Sequence, residues 1–244
     1  MKMYFLSTGF GHVAKGLFVQ GAGMKSVQFP ILSVLIERAN DLVLFDTGIG
    51  TRIEEEMRPP IYWGNLFFHR CVMRTRFDPE HDALVHQLSR LGFQPSDVKN
   101  VIISHLHWDH AGGMRDFPNA RYIINRKEWD FAAGLTGVPH FKNAYIKEQF
   151  CCAGLNIELI NTDSRKPFKN FPASYDLFGD GSMVLVDLPG HSPGLMGMFL
   201  TMPSGRSTST MEPSPKRSYE AGKFLKGLRE SVLISSIFRP AQQN

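Results

Sequence analysis

The stretch "VIISHLHWDHAGGM", residues 101–114, sets three histidines and one aspartate within the six positions from 105 to 110, directly behind a short apolar run. Each of these side chains is a good metal ligand. In extended backbone, residues two apart face the same side, so His105 and His107 can reach one ion as the chain leaves a strand. Asp109 and His110 follow once the chain begins to turn and can point at a neighbouring position. Ala111, Gly112 and Gly113 behind them let the backbone bend closely. Nitrogen and carboxylate ligands suit zinc, or iron or manganese in some settings. A loop of solvent-facing histidines would leave unexplained why four ligand-type residues crowd six positions at the mouth of a buried strand.

The elements that must carry this loop are readable around it. "FPILSVLIERANDLVLFDTGIG" reads as a hairpin in which the apolar runs 31–36 and 42–45 flank the polar turn "ERAND". Its second strand ends in Asp46, Thr47 and Gly48, an acidic residue followed by a glycine, the kind of loop that carries function. The spacing predicts one helix over 78–92, with Asp78 as cap, Pro79 at the first position, Gly92 as terminator and Leu84, Leu88 and Leu91 as the buried stripe. His81 and His86 on that helix are expected to be exposed. "MKMYFLSTGFGHVAKG" reads as a first strand, because its glycines interrupt the apolar run too soon for a signal-peptide core. Nothing later is long enough to span a membrane. "SDVKNVIIS", "RYIIN", "LNIELI", "SMVLVDLPGH" and "GLMGMFLTM" are further strands, with a short helix near "RKEWDFAA". Strands alternating with helices, with hairpins among them, point to an α/β layered domain. The aromatic-rich stretch 57–77 lines a substrate mouth, packs as an insertion, or forms a subunit contact.

With these residues in place, the chain resembles the metallo-β-lactamase superfamily. H-x-H-x-D-H after a hydrophobic strand looks like that family's signature, "LVLFDTG" resembles its early Asp-Thr-Gly loop, and "DLPGHSPG" resembles its second histidine loop. "SHLHWDHAGG" followed by "PGHSPG" is most similar to the N-acyl-homoserine lactonase branch, and less so to the glyoxalase II thioesterases, whose loop begins with threonine. The resemblance runs over roughly residues 28–202. It implies an αββα sandwich with metal at one edge between two sheets. It also implies that His105, His107 and His191 bind a first zinc, that Asp109 and His110 lean toward a second, and that Asp46 supports the site without binding the ion. Such a zinc lowers the pKa of its water to about 7, which makes it a nucleophile toward a small ester or lactone. Asp109 would orient that nucleophile and take part in proton transfer. One zinc is expected, with room for two.

Trp108, inside the motif, is expected to pack away from the ions, Cys151 and Cys152 to pack and not to ligate, and His12, His69 and His140 to be surface or core histidines. The family's second metal uses a bridging aspartate about twenty residues past the third histidine and a last histidine near the C-terminus. Here no histidine follows His191 and no aspartate follows Asp187. Glu212, in "STSTMEPSP", is the one carboxylate near the bridging position, and an exposed loop glutamate is the preferred reading of it. "RSTSTMEPSPKRS" is polar, holds two prolines and resists pairing as a central strand. Past it, "YEAGKFLKGLRESVLISSIF" reads as an amphipathic helix, with Leu225, Leu228 and Val232 at helical spacing.

The expected organisation is therefore a metallo-β-lactamase-like domain over residues 1–202 and a divergent basic C-terminal segment, 203–244. A frameshift, a truncation with a new tail or a gene-model error would each produce it. Charge follows the same division. Residues 201–244 hold seven Lys/Arg against three Glu, a balance of 7 − 3 = +4 that accounts for the whole net charge. This tail is read as a solvated end, and nucleic acid is not expected as a partner, because no interleaved aromatic and basic pattern supports it. Three cysteines, two of them adjacent, do not suit a disulfide framework, and a reducing cytoplasm is the simplest location. The expected partner is a small-molecule substrate, with no membrane; the oligomeric state is not readable from the sequence. A metal-binding but inactive relative is the alternative to a working hydrolase.

Overall fold

The computed structural model describes residues 1–14, 16, 23–39, 41–58, 63–136, 144–162, 166–201 and 231–234. Two sheets form its frame. The first has six strands in chain order: β1 (Lys2–Ala14), β2 (Ser26–Arg38), β3 (Asp41–Phe45), β4 (Val98–Ile103), β5 (Arg121–Asn125) and β6 (Asn156–Ile160). β1, β2 and β3 are antiparallel neighbours, whereas β3, β4, β5 and β6 run parallel. The second sheet pairs β7 (Ser174–Asp176), β8 (Met183–Asp187), β9 (Met196–Thr201) and β10 (Ser231–Ile234), all antiparallel, in the order β10-β9-β8-β7.

Period-two alternation decides which side chains meet. Val34, Ile36, Val43, Phe45, Ile102 and Ile123 face the second sheet and pack against Met183, Leu185, Met196, Met198 and Leu200. Their neighbours in sequence, Leu35, Leu44, Val101, Ile103, Tyr122 and Ile124, face the other way. There they pack against Leu84 and Leu88 of the helix Leu84–Arg90, Ala132 of the helix Arg126–Gly134 and Phe150 of the helix Lys147–Phe150. On the far face of the second sheet, Val184, Val186 and Phe199 are covered by Phe168 and Phe171. β3 and β4 are apolar on both faces because both are covered, as the central strands of a layered sheet must be. The sandwich expected from the resemblance is the architecture found. No described helix is long and apolar enough to cross a membrane.

Three local expectations need correction. The helix expected over 78–92 is two pieces, Pro79–Asp82 and Leu84–Arg90, separated by Ala83 in extended backbone. Asp78 does cap, accepting from the Glu80 N–H. At the break, the Gln87 side-chain amide donates both to the Asp82 carbonyl and to the Ser7 carbonyl of β1, while its backbone N–H still donates to Ala83 O. Val232, placed on an amphipathic helix by its spacing, lies in β10, which pairs with β9 from Ser231↔Thr201 to Ile234↔Met198. The N–H and C=O groups along the β9 edge need a partner, and an extended segment supplies one where a helix cannot. Cys151, expected to pack, is exposed.

Candidate metal centre

The site forms where three strand ends meet. β3 ends in Asp46, a buried residue held at φ 61°, in the left-handed region that Asp tolerates better than most residues. Its N–H donates to Ile102 O of β4. Thr47 next to it donates to His110 O from both its N–H, at 2.8 Å, and its hydroxyl, at 3.0 Å. The third residue, Gly48, is pressed against Thr8, whose Oγ1 would lie 2.1 Å from any Cβ added there. Loop and histidine motif are thus bonded directly.

β4 leads through Ser104 and His105 into His107, the N-cap of a one-turn helix, Trp108–Ala111. Trp108 is buried among Ile49, Ile53, Met57 and Ile146 and fixes the helix from behind. The second loop leaves β8 and carries His191. It is tied to the first where Met196 N donates to Ser104 O at 2.9 Å.

His105, His107 and His191 meet at this junction, with ligand nitrogens all within 4.8 Å of one another. Nδ1 of His107 lies 3.1 Å from Nε2 of His105 and 3.1 Å from Nε2 of His191. His105 is buried, His107 half-buried and His191 exposed, so the cluster opens to one side. His110 sits beside it, its ring centroid 4.1 Å from that of His105, with Nε2 3.6 Å from Asp109 Oδ2.

A buried hydrogen-bond chain sets the ring roles. Asp46 Oδ1 accepts from Ser104 N at 2.7 Å, and its Oδ2 accepts from Ser104 Oγ at 2.8 Å and from His110 Nδ1 at 2.9 Å. With the hydroxyl proton committed to Asp46, His105 Nδ1 is the donor in its 3.0 Å contact with Ser104 Oγ. The Nε2 of His105 therefore carries a lone pair toward the cluster, as a metal ligand must. Burial, then repulsion from His110, His107 and His191, holds the pKa of His105 well below the usual imidazole value. Burial, then repulsion from His191 and His110, does the same for His107. Burial opposes charge on His110 as well, but the carboxylates of Asp109 and Asp46 outweigh it and raise its pKa. Neutral imidazoles converging on one point, with carboxylates to one side, fit a divalent ion.

Of the residues singled out from the sequence, His105, His107 and His191 come together, with Asp109 and His110 adjoining them. Glu212 and His140 lie outside the described residues. His12 is half-buried on β1, and His69 is buried with its ring edge-on to Trp108 at 4.8 Å between centroids. Ser104 and Tyr145 are among the contributors that escaped sequence reasoning. Ser104 had a signal, its position directly before the first histidine. Tyr145, whose ring packs edge-on against His107 at 4.7 Å, had none, because only the fold brings residue 145 to residue 107.

Residues 27–208 match the sequence profile of the Metallo-beta-lactamase superfamily. The chain is 32% identical over 184 residues to the N-acyl homoserine lactonase AttM of Azorhizobium caulinodans, an alignment covering 75% of this chain and 64% of that protein. It is 28% identical over 217 residues to the N-acyl homoserine lactonase AiiA of Bacillus thuringiensis subsp. kurstaki, covering 88% of this chain and 76% of the relative. Among solved structures, an N-acyl homoserine lactone hydrolase with N-hexanoyl-L-homoserine bound at its catalytic metal center superposes with a TM-score of 0.62 at 25% identity, over 82% of this chain and 70% of that one. The chain spans 64–65% of the length of the AttM lactonases it matches.

Proposed function

The chain belongs to the metallo-beta-lactamase superfamily, and from that premise we propose that it is a metal-dependent hydrolase that opens a small lactone or ester, with an N-acyl homoserine lactone as its substrate. The observation that carries this reading is the convergence of His105 Nε2, His107 Nδ1 and His191 Nε2, from two separate loops, within 4.8 Å. The names of the relatives support the substrate class.

Those three nitrogens would hold a first ion, and Asp109 and His110 would contribute to a second. Zinc, when bound, supplies Lewis acidity and lowers the pKa of a coordinated water to about 7. The protein's own part is orientation and proton handling. Asp109, with a fifth of its side chain exposed, is the carboxylate that orients the attacking water and accepts its proton. Asp46 and Ser104 keep the lone pair of His105 aimed inward. Three free cysteines, two of them exposed, favour a reducing cytoplasm as the place of action. We read residues 1–202 as the catalytic domain and 203–244 as a divergent segment.

One observation favours a second reading, metal binding without turnover: among the described residues only His105, His107 and His191 converge as a ligand group, and Asp109 and His110 stand beside it. Zinc analysis paired with ring-opening of N-hexanoyl homoserine lactone separates the two. The hydrolase reading expects bound zinc, lost in His191→Ala, and zinc-dependent opening that Asp109→Asn slows by about 10²–10⁴-fold. Bound zinc with no hydrolysis of lactones or simple esters would favour the inactive relative. Absence of zinc binding would overturn both.

A further inference from the structure

We propose that Glu128 is the positioning residue of the metal centre, a single buried carboxylate that holds both histidine loops in register; this rests on the reading of His105, His107 and His191 as metal ligands. Glu128 lies on the helix Arg126–Gly134 and is completely buried. That helix is fixed at its start by Asn125, whose side chain accepts from Lys127 N. Oε1 of Glu128 accepts from the backbone N–H of Leu106 at 3.0 Å, and Leu106 is the residue between His105 and His107. The same oxygen accepts from the Tyr145 hydroxyl at 2.9 Å, and the Tyr145 ring packs edge-on against His107. Oε2 accepts from the backbone N–H of Gly194 at 3.0 Å, three residues past His191. The approach at Gly194 is so close that an added Cβ would stand 2.3 Å from Glu128 N, so only glycine permits it.

One carboxylate therefore touches the first loop between two ligand histidines, the second loop just past the third, and the aromatic wall of His107. Its three bonds, to neutral donors, engage both of its oxygens. Supporting groups of this kind govern metal affinity through ligand orientation. A helix residue that served packing alone would set stability and leave the geometry of a bound ion unchanged. A positioning residue must alter that geometry.

Cobalt(II) distinguishes the two, because its visible absorption reports the ligand geometry and its titration reports affinity. The full chain, stripped with a chelator, is titrated with Co²⁺ as the parent, as Glu128→Gln and as Tyr145→Phe. Glutamine keeps the shape but offers one acceptor oxygen for three donors and turns an amide N–H toward one of them. The expected result for Glu128→Gln is a loss of cobalt affinity of about 10- to 100-fold together with an altered visible band, the far-ultraviolet circular dichroism being retained. Tyr145→Phe, which removes one bond and keeps both backbone bonds, should show a smaller shift in the same direction. If Glu128→Gln does not fold, Tyr145→Phe alone decides. Unchanged affinity and band overturn the proposal, as does weakened affinity with an unaltered band in the bound form. A parent protein with no cobalt band would overturn the metal reading itself, and the positioning role with it.

Discussion

Oδ2 of Asp46 accepts a hydrogen bond from Nδ1 of His110 at 2.9 Å, and the same oxygen accepts the Ser104 hydroxyl at 2.8 Å. One carboxylate thus orients His110, proposed for a second metal position, and, through Ser104, selects the ring form of His105, proposed for the first. Asp46→Asn is the informative substitution, because asparagine also tolerates the left-handed backbone at this position. The amide supplies a single acceptor and points N–H donors at groups that are themselves donors. We expect stability to fall by about 1–3 kcal/mol in chemical denaturation. Zinc affinity, measured by competition with a chromogenic chelator, should fall about 10- to 100-fold. Parent-like values for both would show that Asp46 has no supporting role.

His110 and His191 should separate by stoichiometry. His191 supplies one of three nitrogens in the tight cluster, whereas His110 faces Asp109 and Asp46 beside it. Metal analysis after exhaustive dialysis should find His191→Ala with its tightly held ion lost and His110→Ala with one equivalent retained. The opposite pattern would reverse the assignment of first and second positions.

What was legible from the sequence was whatever depends on near neighbours. Strand alternation alone pairs His105 with His107, and an Asp-Thr-Gly at a strand end marks the loop that grips His110. His191 is 84 residues from His107, and only the family resemblance connected them. Glu128 and Tyr145 stayed out of reach because their roles come from parallel strand order and the packing of helices on the sheet, which juxtapose residues that no local pattern relates; Ser104 at least adjoins His105 in sequence. The break at Ala83 has the same origin. Local propensity favours one helix there, whereas Ala83 is extended at the point where the Gln87 side chain ties Asp82 to Ser7 of β1, 80 residues away. At Val232 the helical spacing was real, but the open edge of β9 outweighs a weak local preference.

His69 should make acid destabilise the protein. It is buried, and burial, followed by repulsion from Arg70, lowers its pKa to about 4 from an ordinary 6.5. Its Nδ1 has no hydrogen-bond partner among the described residues. The unfolded chain takes up a proton near pH 6.5 that the folded chain refuses until near 4, so this contribution to stability is intact above 6.5 and is lost as pH falls through that window. The full loss is about 3 kcal/mol. Denaturation across the window should give a shallower slope for His69→Phe than for the parent, with the slope contributed by His105 and His107 remaining in both. Parallel slopes would mean that His69 titrates normally in the folded protein.

β10 is the part of the C-terminal segment with a described place in the fold, and its pairing can be tested through the backbone. Successive N–H groups along a strand point to opposite sides, so one of Val232 and Leu233 directs its N–H toward β9. Proline lacks that group, and the double substitution Val232→Pro with Leu233→Pro removes the ladder bond whichever residue donates it. The expected result is a loss of about 1–3 kcal/mol in stability. It should be accompanied by faster amide hydrogen exchange at the β9 N–H groups that face β10, as the weakened strand lifts from their side. β9 begins at Met196, whose N–H bonds to Ser104 beside the histidine cluster. Loosening of this edge should therefore also weaken zinc affinity, by less than loss of a ligand histidine does. Unchanged stability and exchange in the double proline variant would show that Ser231–Ile234 contributes nothing to the second sheet in solution.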